Sequence, residues 1–319
     1  VNIEAGRIPA VLTTANDAAQ GQVAMNEGLD TAMSAPPSVA VCGPASWNQL
    51  ILLDHLPEPV PHMQFARRSW HTIGGTSAGK ALHLAGLGIK VRLCSPLGTD
   101  AEGQRIRSAL TAAGVHVEPL ASEQTERHVN LMSDGGKRVS LYVAVPSTPT
   151  ERELSIAAEA VAAADVAVVD LSELGALLLQ RLDAQETPIW ADLHDYDGSS
   201  EFHEPFLRAA TTVFMSDDNA EDPWDLMRSC LERGPRLAVC TRGAEGAIAL
   251  EASGARHEVS ALPAEVVDTN GAGDAFMTGF LAATLRGATI DDALTVAATQ
   301  ARTAIESKHL HPKLSELLT

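Results

Sequence analysis

The chain predicts a doubly wound, mostly parallel α/β sheet with helices on both faces. Three observations carry the prediction. Short apolar runs recur along the chain, segments with helical spacing of apolar residues separate them, and glycines mark many of the joints. Runs that are apolar throughout suit strands covered on both faces, as in parallel sheets; strands with one wet face would alternate.

The elements follow in order. Residues 1–37 are polar and alanine-rich and end in Ser34-Ala35-Pro36-Pro37. They read as an N-terminal extension, mobile or docked on a partner, with a thin apolar stripe across 16–33 that would suit a helix. The folded domain is expected over 38–319. Its strands are expected at 39–42, 90–94, 166–170, 188–192, 212–215, 237–241 and 247–251. Helices are expected at 77–87, 101–113, 153–163, 173–183, 225–233, 273–285 and 290–307. Two stretches, 49–71 and 126–145, break this rhythm with strand-like patches and no helix between them. Residues 139–143 alternate, and Gly135-Gly136 reads as a hairpin turn.

With 319 residues and 45% hydrophobic content, the chain can bury one sizeable core. A net charge of −18 argues against nucleic acid or an anionic membrane as partner. Cys42, Cys94, Cys230 and Cys240 form no C-x-x-C pair, and two of them lie in strand-like runs, which predicts buried reduced thiols and a cytoplasmic protein. No apolar run approaches the ~20 residues of a membrane-spanning helix.

The most informative segment is Asp268-Thr269-Asn270-Gly271-Ala272-Gly273-Asp274-Ala275-Phe276. It follows the strand-like Glu265-Val266-Val267 and precedes a helical pattern, so it reads as strand, glycine turn and helix start. The first N–H groups of a helix lack intrahelical partners and carry the positive end of its dipole. Gly271, Ala272 and Gly273 would present such groups to an anion. Asp274 beside them would repel a phosphate unless it works as a base. An anion hole with an adjacent base is what phosphoryl transfer to a hydroxyl requires.

This segment resembles the C-terminal signature D-T-x-G-A-G-D-x-F of the ribokinase-like (PfkB-type) carbohydrate kinases, with Asn270 at the variable position. Other parts follow in family order from about residue 38 onward. Gly74-Gly75 resembles the N-terminal glycine pair. Thr241-Arg242-Gly243-Ala244-Glu245-Gly246 resembles the nucleotide loop T-x-G-x-x-G. Ala297-Ala298-Thr299-Gln300-Ala301 resembles the small-residue helix beside the adenine. The resemblance implies an ATP- and Mg²⁺-dependent kinase acting on a hydroxyl of a sugar or related polyol. It also implies that the stretches at 49–71 and 126–145 form a β-lid, which could pair two copies into a homodimer.

Residue by residue, it implies Asp274 as base, Gly271, Ala272 and Gly273 as anion hole, and Thr241, Gly243, Gly246, Asn219 and Ala298 around the nucleotide. The acceptor would meet Asn48, Gly74, Gly75 and Gly79. Two of these depart from the family: Asn48 stands where an aspartate usually clamps two sugar hydroxyls, and Gly79 where an asparagine is usual. The phosphate chemistry therefore looks intact and the acceptor pocket rewritten, which leaves a nucleoside kinase, or a ligand sensor without catalysis, as alternatives.

Further residues carry two readings each. Asp192, at a strand's C-terminal end, is either a site residue or a solvated loop carboxylate. Lys80 is either a substrate or phosphate contact or a solvated helix lysine. Gly74-Gly75-Thr76-Ser77-Ala78-Gly79-Lys80-Ala81 falls short of a Walker A loop, which would place Ser or Thr after its lysine. Trp47 would stack on a ring or sit in the core. The Mg²⁺ ligands are not assigned among Ser216, Asn219, Glu221 and Asp222. Asp268 is expected to be structural or to lie near a monovalent cation, and His309 and His311 at the surface.

Overall fold

The computed structural model describes residues 36–133, 137–182 and 186–318. The extension up to residue 35, its suggested helix, and the Gly135-Gly136 turn lie outside the described residues.

The larger sheet holds β1 (Ser38–Cys42), β4 (Lys90–Leu97), β5 (His116–Ala121), β8 (Val166–Val169), β9 (Ile189–Asp192), β10 (Thr212–Ser216), β11 (Leu237–Thr241), β12 (Ala247–Glu251) and β13 (Arg256–Val259). Their order is β13-β12-β11-β10-β9-β8-β1-β4-β5, parallel from β11 to β5 and antiparallel at β12 and β13. All seven expected strands are present. β5 and β13 were not foreseen, because both are edge strands with mostly part-exposed residues and lack the continuous apolar signal of the central ones.

Helices α1 (Thr76–Gly86), α2 (Ala101–Ala112), α3 (Glu151–Ala162), α4 (Glu173–Arg181), α5 (Glu204–Ala209), α6 (Pro223–Leu231), α7 (Ala272–Thr284), α8 (Ile290–Ile305) and α9 (Leu314–Leu317) accompany the sheet. Side chains alternate across the strands, so each sheet face has its own core. Val39, Val41 and Leu93 join one, with residues of α1, α2, α7 and α8; Ala40, Cys42 and Val169 join the other, with residues of α3, α4 and α6. The four cysteines are buried free thiols, as expected.

The topology fixes where a ligand can bind. From β1 the chain goes on to β4 on one side and later returns to β8 on the other. The carboxyl ends of β1 and β8 therefore flank a switch point, the place where open α/β sheets leave a crevice. Gly43 and Asp170 follow these two ends directly. The second sheet, β3-β2-β6-β7, comprises β2 (Ser46–Leu53), β3 (Arg68–Gly74), β6 (Glu126–Ser133) and β7 (Arg138–Ala144). It begins four residues beyond Cys42 and supplies the separate small sheet that the resemblance implies for 49–71 and 126–145.

One expected strand is absent. Residues 261–270 form no strand. The amides of Val267 and Asp268 instead both donate to the Ile305 carbonyl at the end of α8, at 2.8 and 3.2 Å. Val266 and Val267 remain 62% and 56% exposed. Their β-branched side chains mimic a strand in sequence, but no neighbouring strand is available to pair with them.

The segment after α8 is tied to α1 through His83. The Gln300 amide donates to His83 Nδ1 at 2.6 Å, and the opposite ring nitrogen, Nε2, donates to the Leu310 carbonyl at 2.8 Å. His311 packs edge-on against the His83 ring with centroids 4.7 Å apart. His309 is buried and His311 is half-buried, so the expectation that both lie at the surface is corrected. Both find partners far away in sequence, which local spacing does not reveal.

Burial, helped by His311, lowers the His83 pKa to about 4. Its folded value lies below the ordinary 6.5, so the unfolded chain binds the extra proton first. The stability held by neutral His83 is complete above pH 6.5 and is lost as pH falls from 6.5 towards 4. The loss is at most about 3 kcal/mol. Urea unfolding across this window should show the wild-type decline shrink in His83→Gln; equal declines in both proteins would rule out His83 as its source.

Candidate active site

The site is built where α7 and α1 meet the carboxyl ends of β8 and β9. Gly271 caps α7 in the left-handed conformation, with φ of 78°. No side chain caps the helix. The Ala272 amide donates to the Thr269 carbonyl at 3.3 Å. Among the described residues, the amides of Gly271, Gly273 and Asp274 have no protein partner, and all three residues line a cavity of about 1290 Å³. A polar cradle at a helix N-terminus is suited to an anion. Asp268 shapes the approach by accepting from the Asn270 backbone and side-chain amides at 2.9 and 2.7 Å.

Asp274 points from the first turn of α7 into a buried charge cluster. Lys80 of α1 is fully buried. Its ammonium lies 2.7 Å from Asp274 Oδ1, 2.8 Å from Asp170 Oδ1 and 3.2 Å from Asp192 Oδ2. The solvated readings of Lys80 and Asp192 are thereby corrected, and Asp192 lines the cavity. Asp170 also accepts from the hydroxyls of Thr76 at 2.9 Å and Ser77 at 2.5 Å. An internal carboxylate thus sits at the start of α1, where a Walker A loop would hold phosphate, and the near-match in sequence does not form one.

The electrostatics follow from burial. Burial alone would strip the proton from Lys80, but Asp170, Asp274 and Asp192 together hold its pKa well above the ordinary lysine value. Burial opposes ionised Asp192, yet His194 and Lys80 outweigh it and lower its pKa. For Asp274, burial wins. Asp192 and Asp170 add to it, Lys80 pulls back, and the pKa rises to about 6.

The lid forms the opposite wall. Alternate residues of its strands face the cavity, and register aligns them in rows. Thr72, Asn48, His128 and Tyr142 make one row across β3, β2, β6 and β7. Asn130 and Ser140 begin the next. The Ser46 hydroxyl donates to the Asn48 side-chain oxygen at 2.8 Å, and Thr72 pairs with His309 Nδ1 at 2.7 Å. His128 and Tyr142 rings lie 3.9 Å apart. Arg138 of β7 hydrogen-bonds the Asn270 side-chain oxygen, which joins the lid to the Asp268–Asp274 loop.

The family model for pfkB family carbohydrate kinases matches residues 37–316. This chain belongs to that family. Among curated relatives, an acarbose 7(IV)-phosphotransferase from Actinoplanes sp. is 32% identical over 82% of this chain and 90% of its own length. A nucleoside kinase from Methanothermobacter thermautotrophicus is 28% identical over 80% of this chain and 85% of its own. Among solved structures, a microbiome-derived acarbose kinase superposes with a TM-score of 0.77 at 27% identity, covering 89% of this chain and 99% of its own. Arabidopsis thaliana ribokinase, complexed with ribose and ATP, superposes with a TM-score of 0.72 at 22% identity over 90% and 99% of the two chains. The fold is ribokinase-like, and the chain is a phosphotransferase with an alcohol acceptor.

The residues foreseen for the site fall into two groups. Asn48, Gly74, Gly75, Thr241, Gly271, Ala272, Gly273 and Asp274 line the one cavity. Gly79 lies just behind it, where a methyl group would stand 3.2 Å from Asp274 Oδ2. Gly243, Gly246, Asn219 and Ala298 are not on the cavity wall. Gly243 and Gly246 form the tight turn between β11 and β12, and a methyl group at Gly246 would lie 2.0 Å from the Val259 carbonyl oxygen. The Asn219 amide bridges to Asp195. Ala298 is in the core. The small residues there answer to the close approach of α7 and α8, since a methyl group at Gly279 would lie 2.8 Å from Ala297 Cα.

Trp47 faces away from the cavity, stacked by His71 and covered by Arg105, because it lies one residue from Asn48 on the other face of β2. Asp170 and the lid's His128 and Tyr142 were not foreseen. Asp170 ends an apolar strand just as Asp192 does, and that shared position was the available signal.

Gly74 has no room for a side chain: a methyl group would lie 2.0 Å from the Asn48 amide nitrogen. Gly74→Ala should therefore displace Asn48 and cost about 1–3 kcal/mol, read as a lowered thermal midpoint. An unchanged midpoint would show that Asn48 moves aside freely.

Proposed function

We propose that this kinase transfers the terminal phosphoryl group of ATP to a hydroxyl of an uncharged sugar or related polyol, with Asp274 as the base. One observation carries the reading: a buried carboxylate adjoins unpartnered α7 amides and faces a row of hydrogen-bonding lid residues across a single cavity. The cavity exceeds the ~1,000 Å³ upper range of ordinary small-ligand pockets, which suits a nucleotide and an acceptor together.

The chemistry follows from the residues. The acceptor oxygen attacks the terminal phosphorus, its proton passes to the Asp274 carboxylate, and ADP leaves. The amides of Gly271, Gly273 and Asp274 stabilise the charge on the transferring oxygens. The Ala272 amide, which was expected among them, is engaged by Thr269. Thr241 lines the nucleotide end of the cavity, and exposed Val266 and Val267 offer it an apolar surface. Asn48 and Gly74 fit the acceptor, and Thr72, His128 and Asn130 supply further hydrogen bonds. Burial under the lid limits wasteful transfer to water.

The residues fit a Mg²⁺ ion brought in on the phosphates. No group of three or more His, Cys, Asp or Glu residues suited to a metal occurs among the described residues. Mg²⁺ on a nucleotide keeps most of its water and needs few protein ligands. Ser216 and Asp218, hydrogen-bonded to each other at 2.8 Å on the cavity wall, would meet that water shell. The ion would neutralise phosphate charge in a strongly acidic protein.

A nucleoside acceptor is the second reading. The His128–Tyr142 aromatic pair on the lid's inner face favours it, since a base could stack there. Two further features fit the wider picture. Free buried thiols suit the reducing cytoplasm, and no helix among the described residues is long and apolar enough to cross a membrane. The edge strand β7 exposes Val139, Leu141 and Val143 on the lid's outer face, which suits pairing with a second copy.

Asp274→Asn should leave nucleotide binding in place, measured by calorimetry, and reduce kcat by ~10²–10⁴. Near-normal turnover would defeat the base assignment. In the wild type, kcat/KM should fall on acidification through about pH 6, where Asp274 takes up its proton, and EDTA should abolish turnover until Mg²⁺ is restored. A panel of sugars and nucleosides in an ADP-release assay separates the two acceptor readings. Leu141→Asp should halve the mass seen by sedimentation if the lid pairs two copies; an unchanged mass removes the lid from the interface.

A further inference from the structure

Lys80 meets three carboxylates from three different elements: Asp170 after β8, Asp192 at the end of β9, and Asp274 in α7. The ammonium is fully buried among these carboxylates, and Lys80 does not line the cavity. The direct-contact reading therefore fails as much as the solvated one.

The geometry on the Asp274 side is specific. Lys80 approaches Oδ1 at 2.7 Å. Oδ2 faces Gly79, the preceding residue of α1, which has no side chain to intrude. One carboxylate oxygen is thus held by the lysine; the other lies toward Gly79, where even a methyl group would stand only 3.2 Å away, and Lys80 does not engage it. Asp274 itself lines the cavity, and Oδ2 is the oxygen the lysine leaves to accept a proton.

We propose that Lys80 is a positioning residue for the phosphoryl transfer: tied down by Asp170 and Asp192, it clamps one oxygen of Asp274 and supplies the counter-charge that keeps this carboxylate ionised as a base. The inference rests on Asp274 being the base. Two buried carboxylates next to a third would otherwise favour its neutral form, which cannot accept a proton. The charged groups around Asp274 are Lys80 from α1, Asp170 from beyond β8 and Asp192 from β9, and His194 stands 3.8 Å behind Asp192. Lys80 is the cation among them that touches Asp274.

The test is the pH profile of kcat/KM. In Lys80→Met the acid limb should move to higher pH by about one unit or more, with activity recovering on alkalinisation. In Asp170→Asn it should move to lower pH, because a neighbouring negative charge is gone. A merely structural lysine would lower activity at every pH and leave the limb in place. An unmoved limb in folded Lys80→Met, or an upward shift in Asp170→Asn, overturns the proposal.

Should Lys80→Met fail to fold, the double variant Lys80→Met/Asp170→Asn removes one charge of each sign. Its limb should still lie above that of the wild type, and a limb at the wild-type position overturns the proposal. Asp274→Asn separates the two layers. If it stays active, the base reading fails. If it is inactive while the other variants leave the limb unmoved, the lysine proposal alone fails.

Discussion

The active site depends on one buried ammonium. Lys80 draws together carboxylates that the chain delivers from the ends of two strands and the start of a helix. Without it, Asp170, Asp192 and Asp274 would crowd negative charge into a largely buried region. Removing one partner from such a cluster leaves the others uncompensated, which is costly in a buried setting. The same contact orients α7 relative to α1, and α7 carries the amides that face the cavity. The placement of Asp274 and the local packing therefore rest on the same interaction.

Around this cluster the site is divided between rigid and separate parts. The sheet's carboxyl ends provide Asp192, Ser216 and Thr241 along one wall, while the lid supplies the polar row of Thr72, Asn48, His128 and Tyr142 along the other. The 268–276 segment matches the family signature without a gap, while the positions expected to meet the acceptor depart from the family at Asn48 and Gly79. A neutral amide in place of a carboxylate still donates and accepts hydrogen bonds, but adds no charge to a site that already holds three aspartates. The glycine gives Asp274 room against α1.

Glycines at the joints act by making room. Gly74 is packed against the Asn48 amide, and Gly271 turns the chain into α7 with a positive φ. The tightest of these approaches bring backbone or catalytic side chains within reach of each other where a Cβ atom would stand between them. In this way a short local sequence is linked to distant partners.

The amino-acid sequence by itself determined the layered α/β architecture, the seven central strands, the lid's location and the helix that starts just before Asp274, because apolar periodicity and glycine spacing are local signals. It also carried the family signature, whose residues converge on one cavity. The tertiary structure decided the rest. It set Lys80 among three aspartates, buried His309 and half-buried His311, packed Trp47 against the core on the side away from the cavity, moved Ala298 into the core and left Val266 and Val267 outside any strand. Each of these depends on partners tens to hundreds of residues away, and a side chain's neighbours in space are not encoded in its neighbours along the chain.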